Sequence, residues 1–286
     1  MKAFFALIFA LVLGGAALAA PTRFTVTVSG EGPDIILIPG LSSAPHVFDG
    51  LAPMLEATHR VHRIQIAGFA GLAAGPNAEG DILDGVRDEL IAYIGENGLK
   101  KPALIGHSMG GLLSLLVAAK APDAVGRVMV IDALPFFSLL INPMATSDMV
   151  KPFAAQAKAQ MMALSDEQFA ASQRQTLAIL TKTPDGVEKA LVDSLASDRA
   201  VVAETMAEVM VRDARSEIPA ITVPVTVLQA WDNTMPAQKE AYVKLWADAY
   251  AALPGVQMKV IENSYHFIMW DQPQAFADAV TAFLAE

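Results

Sequence analysis

Gly106-His107-Ser108-Met109-Gly110 reads G-x-S-x-G, and its flanks give it meaning. Ala103-Leu104-Ile105 before it is apolar and strand-like, and Gly111 through Ala119 after it are helix-compatible. A serine on a sharp strand-to-helix turn stands clear of the backbone, where its hydroxyl can reach a substrate carbonyl. Glycine at both ends suits a turn too crowded for a Cβ. The three fixed positions alone recur by accident in about one chain in ten of this length. The strand and helix around them are the context that the chemistry requires.

Working outward, strands and helices alternate. Strand patterns cover Arg23 to Val28, Asp34 to Ile38, Arg60 to Ile66, Pro102 to Ile105, Arg127 to Ile131, Val223 to Gln229 and Gln257 to Ile261. Ile82, Val86, Leu90 and Ile94 recur at helical spacing, and Phe276, Val280 and Leu284 do the same near the C-terminus. This alternation predicts an α/β fold, a mostly parallel sheet covered by helices on both faces. It breaks from Pro135 to Pro219, where four helical segments follow one another. They read as a helical cap inserted in the sheet domain. Six methionines there, Met144, Met149, Met161, Met162, Met206 and Met210, suit either helix core or a pocket for variable apolar groups.

Composition narrows the classes. A formal net charge of -10 argues against a nucleic-acid partner. Cysteine is absent, so stability rests on the core rather than on disulfides. Lys2, the apolar run Phe4 to Leu13 and the small-x-small site Ala17-Leu18-Ala19 predict a signal peptide over residues 1–19. The expected mature chain is 20–286, exported to the periplasm or secreted, with no membrane anchor once the leader is removed. No G-x-G-x-x-G opens a βαβ unit and no H-E-x-x-H or Cys/His cluster exists, so neither a nicotinamide cofactor nor a metal is expected.

A serine hydroxyl needs a base, and the base needs an orienting carboxylate. The chain has five histidines. His107 lies inside the elbow, with its side chain expected to turn away from the nucleophile. His59 and His62 sit at or in an early strand, where a structural role suffices. His46 lies in the loop after the second strand and borders the expected pocket. His266, in Asn263-Ser264-Tyr265-His266-Phe267, follows the last strand and is the expected base. Two carboxylates compete to orient it. Asp232 follows the strand Val223 to Gln229, and the order Ser108, Asp232, His266 is the usual one for this elbow. Asp132, at the end of the strand Val128 to Ile131, is the alternative. Either can also be read as structural, a turn residue or a backbone cap. The Met109 N–H, with the Leu41 N–H beyond Pro39-Gly40, is expected to form the oxyanion hole.

Together, Leu37-Ile38-Pro39-Gly40-Leu41, Gly106-His107-Ser108-Met109-Gly110-Gly111, Trp231-Asp232 and Tyr265-His266-Phe267 resemble the α/β-hydrolase superfamily over nearly all of the mature chain. The resemblance implies nucleophile, acid and base roles for Ser108, Asp232 and His266, oxyanion donors at Leu41 and Met109, and a cap over the site. Three positions depart from common family patterns: Pro39-Gly40 where many relatives have His-Gly, Tyr265 where many have Gly, and Ala67-Gly68-Phe69 where many have an Asp-x-x-Gly turn. The leading expectation is an exported serine hydrolase of small apolar esters, thioesters or lactones. An amide or peptide hydrolase on the same triad, and a non-catalytic binding protein that keeps the fold, are the alternatives.

Overall fold

Seven short segments that alternate or run continuously apolar become the strands of one sheet. A computed structural model describes residues 20–285; the expected leader, residues 1–19, lies outside the described residues. The strands are β1 (Phe24–Ser29), β2 (Asp34–Ile38), β3 (Arg60–Ile66), β4 (Ala103–His107), β5 (Arg127–Ile131), β6 (Val225–Trp231) and β7 (Gln257–Glu262). Their order across the sheet is β1-β3-β2-β4-β5-β6-β7. Only β1 runs antiparallel, against β3.

The helices, in chain order, are α1 (Ala52–Glu56), α2 (Ile82–Glu96), α3 (Met109–Lys120), α4 (Ser147–Ala163), α5 (Asp166–Leu177), α6 (Pro184–Ala196), α7 (Arg199–Val211), α8 (Lys239–Ala249), α9 (Ile268–Asp271) and α10 (Pro273–Ala285). Successive strand residues point to opposite faces, so each strand feeds two cores. Ile36, Ile38, Leu104, Val128, Val130 and Val227 join one face, with α2, α3 and Trp246. Ile35, Leu37, Ile105, Met129, Ile131 and Leu228 join the other, with Phe48, Leu55, Phe276 and Phe283. Helix α3 is buried almost all round, which explains why nearly every residue from Met109 to Ala118 is apolar or small. Helix α8, absent from the expectations above, turns Tyr242, Leu245, Trp246 and Ala249 to the core at the i, i+3, i+4, i+7 spacing of an amphipathic helix.

Four helices, α4 to α7, lie between β5 and β6. They form two pairs, α4 against α7 and α5 against α6. Ser165 and Gln168 close α5 with a capping box, and the Asp198 side chain caps α7.

Candidate active site

The turn between β4 and α3 holds Ser108 at φ 55°, ψ −122°, a conformation that L-residues seldom adopt. Glycine is sterically required at Gly106 and Gly110, and Gly40 is tightly packed. A Cβ on Gly110 would lie 2.1 Å from the Ile38 carbonyl oxygen, and one on Gly40 would lie 3.1 Å from the Ser108 Cβ. The loop after β2 is therefore pressed against the elbow. Leu41 follows Gly40 directly, and its N–H meets no acceptor among the described residues. Met109 is the first residue of α3, so its N–H has no partner within the helix. Two free donors thus lie on the segments that flank Ser108.

Backbone strain concentrates here. Of the seven non-glycine residues with positive φ among the described residues, Ser42, Ser108, Asp132 and Asn263 fall on the loops after β2, β4, β5 and β7. Such conformations persist where the surrounding fold over-determines them, commonly at working sites.

His266 lies on the loop after β7. Its Nδ1–H donates to Asp132 Oδ2 at 2.7 Å. Asp132 Oδ1 accepts the Ala230 N–H at 2.8 Å, which fixes the carboxylate plane. With the Nδ1 proton held, the neutral imidazole presents a lone pair at Nε2. The Ser108 hydroxyl makes no hydrogen bond among the described residues; in unliganded enzymes this contact is often long and tightens with substrate.

His266 pairs with Asp132, the alternative carboxylate, and not with the expected Asp232. The Asp232 side chain is 1% exposed and fully engaged elsewhere. One oxygen pairs with Lys182 Nζ, and the other accepts the Thr234 N–H at 2.9 Å and hydroxyl at 2.6 Å. These partners hold its pKa down at about 2, with the Lys182 bond the largest cause. The reason for the switch is geometric. The loop after β7 must cross the sheet edge to approach β4, and the Ser264 N–H bonds to the Trp231 carbonyl as it passes the end of β6. Two residues later His266 is already over β5, where Asp132 stands. No sequence signal encodes that reach. Lys182, which occupies Asp232, sits in the helical insertion, far from Asp232 in the chain.

Two further histidines, His62 and His46, have carboxylate partners. His62 is buried between the Tyr93 hydroxyl at 2.7 Å and Asp34 at 3.1 Å. His46 pairs with Asp193 of α6 at 3.0 Å, and that carboxylate raises its pKa. Asp193 also accepts the Ala44 N–H at 2.9 Å, tying α6 to the loop that carries Leu41. Among the described residues no group of three or more His, Asp or Glu is gathered for a metal ion. The six methionines divide. Met161 and Met210 pack on the core, Met206 is half-buried, and Met144, Met149 and Met162 are exposed.

The chain and its fold match known proteins. The model of the alpha/beta hydrolase family matches residues 35–279. The chain belongs to the alpha/beta hydrolase family. As a family member it is an enzyme of the hydrolase class. A pimeloyl-[acyl-carrier protein] methyl ester esterase of Aliivibrio salmonicida is 24% identical over 257 residues, covering 89% of this chain and 93% of that protein. An sn-1-specific diacylglycerol lipase of Mus musculus is also 24% identical, covering 88% of this chain and 81% of that protein. Among solved structures, an esterase from Exiguobacterium antarcticum superposes with a TM-score of 0.76 at 18% identity, covering 93% of this chain and 96% of that one. The enol-lactonase from Burkholderia xenovorans gives 0.73 at 19% identity, covering 93% and 97%.

Proposed function

We propose that this alpha/beta hydrolase is an exported serine esterase that cleaves a small apolar carboxylic ester, thioester or lactone through an acyl-enzyme. The observation that carries the reading is the 2.7 Å bond from His266 to Asp132 on loops that converge on the strained Ser108 elbow. His266 Nε2 takes the Ser108 proton as Oγ attacks the substrate carbonyl. The Leu41 and Met109 N–H groups receive the developing oxyanion. Collapse of the tetrahedral intermediate breaks the bond to the alcohol, thiol or ring oxygen, and His266 returns the proton to that leaving group. Water, deprotonated by the same imidazole, then attacks the acyl-enzyme and frees Ser108. Asp132 keeps the imidazole in the productive tautomer and stabilises its cation. The ester class is supported by the esterase and lipase relatives. Export is supported by the leader pattern at Lys2, Phe4 to Leu13 and Ala17-Leu18-Ala19.

A fluorophosphonate probe and a panel of nitrophenyl esters beside aminoacyl amides test the reading. The expected result is stoichiometric labelling lost in Ser108→Ala, with ester turnover falling by several orders of magnitude, roughly 10³-fold or more. Turnover of the amides in preference to the esters would move the assignment to an amidase. Absence of labelling in folded protein would leave a binding protein.

A further inference from the structure

His107 ends β4, immediately before Ser108, and is 1% exposed. Its Nε2 lies 3.0 Å from the backbone carbonyl oxygen of His266. Its ring centroid is 4.6 Å from the His266 ring and 4.9 Å from the Phe267 ring. On the other side it abuts the loop after β2: a Cβ on Gly40 would come within 3.1 Å of Nδ1. His107 therefore touches the loops of both the expected base and the expected oxyanion donor, and is bonded to the nucleophile's own backbone.

Its two nitrogens are used unequally. Nδ1 is buried with no hydrogen-bond partner among the described residues. A neutral imidazole has one N–H, and the His266 carbonyl requires it on Nε2. An aliphatic or phenyl side chain would fill the same space without leaving a buried nitrogen unpaired, an arrangement that costs stability. The imidazole is thus explained by the bond it donates rather than by packing. Burial, with His266 adjacent, pushes the His107 pKa well below the ordinary histidine value. It stays neutral, and adds no charge opposing the cation that His266 becomes during turnover.

Taking Ser108 and His266 as nucleophile and base, we propose that His107 is a positioning residue whose Nε2–H bond to the His266 carbonyl sets the reach of the His266 imidazole toward Ser108. The bond spans two residues, one covalently joined to the nucleophile and the other carrying the base. Loss of the bond frees the base loop at its most sensitive point, since misplacement by about 1 Å can cost about 100-fold in rate.

The test is a set of full-chain variants, His107→Leu, His107→Asn and His107→Gln, with fluorophosphonate end-point labelling to count working sites. Leu cannot donate and Asn is too short to reach the carbonyl; Gln can place an amide N–H near Nε2. Per labelled site, Leu and Asn are expected to lower kcat about 10- to 100-fold with KM within about twofold of wild type, and Gln to recover most of the loss. A filler role gives the opposite order, with Leu best tolerated and kcat per site unchanged. Wild-type kcat per site in Leu, or Gln no better than Asn, overturns the proposal; if Leu does not fold, the comparison of Gln with Asn decides alone. Ser108→Ala, run in parallel, separates the two levels. If it stays active, the reading of the site fails and His107 with it. If it is dead while the His107 variants are fully active, only the role of His107 falls.

Discussion

Ser108 is held where its own side chain is unwelcome. At φ 55°, ψ −122° a non-glycine residue costs about 1–3 kcal/mol, and Gly110 and Gly40 leave the elbow no room to relax. This makes a sign-bearing expectation. Ser108→Gly relieves the strain but gives the unfolded chain more freedom, a penalty of about 0.4–1 kcal/mol. Ser108→Gly should therefore unfold at a urea midpoint equal to or above that of Ser108→Ala, although both lack the proposed nucleophile. A glycine variant less stable than Ser108→Ala by about 1 kcal/mol or more would show that the elbow is unstrained. Ser108 itself was legible in the sequence, because G-x-S-x-G between a strand and a helix has a local cause for each residue. His266 was singled out as the candidate base by elimination among five histidines. Its carboxylate was not, because Asp132 and Asp232 both follow strands and differ only in how far the loop after β7 travels.

At the level of elements, the α5–α6 pair is fastened to the loop that carries His266. The Phe267 N–H donates to the Leu180 carbonyl at 3.0 Å. Asp271 accepts the Thr181 hydroxyl at 2.7 Å, the Lys182 N–H at 2.9 Å and the Tyr265 N–H at 2.8 Å. Lys182 Nζ closes the set on Asp232. The Asp232 pKa drops from 3.8 to about 2 on folding, so its contribution to stability is complete above about pH 4 and is lost as pH falls toward 2. Lys182→Met should be less stable than wild type at pH 6, with the gap shrinking below pH 4. Lys182→Met combined with Asp232→Asn should recover part of the loss at pH 6, because no unpaired carboxylate remains buried. A gap independent of pH would dissociate the pair from stability. Helices α4 to α7 were legible from their starts, since Thr146, Ser165 and Asp198 cap α4, α5 and α7 with their side chains and α6 opens on Pro184. Those signals could not assign the methionines. Met149 and Met162 are exposed, so Met149→Ala and Met162→Ala should change stability by less than about 0.5 kcal/mol in denaturant titrations, not by a core-sized loss.

For the whole molecule, topology decides where chemistry can occur. The chain winds outward in opposite directions from the boundary between β2 and β4, and open α/β sheets place their sites beyond the strand ends at such a switch point. The loop of Leu41 leaves β2 and the elbow leaves β4, side by side. Asp132 stands at the end of β5, next in the sheet, and Asp232 one strand further at the end of β6. The parallel strands were readable from short apolar runs, but their order is a long-range property that no local pattern carries. That order is why the nearer carboxylate holds the imidazole. The most direct measurement is kcat/KM on one nitrophenyl ester for Asp132→Asn and Asp232→Asn, each normalised to fluorophosphonate-labelled sites. The expected result is a fall of about 10³- to 10⁴-fold for Asp132→Asn, whose amide cannot hold the productive tautomer, against less than about tenfold for Asp232→Asn. The reverse ranking, in two variants that both remain folded, would contradict the account and return the orienting role to Asp232.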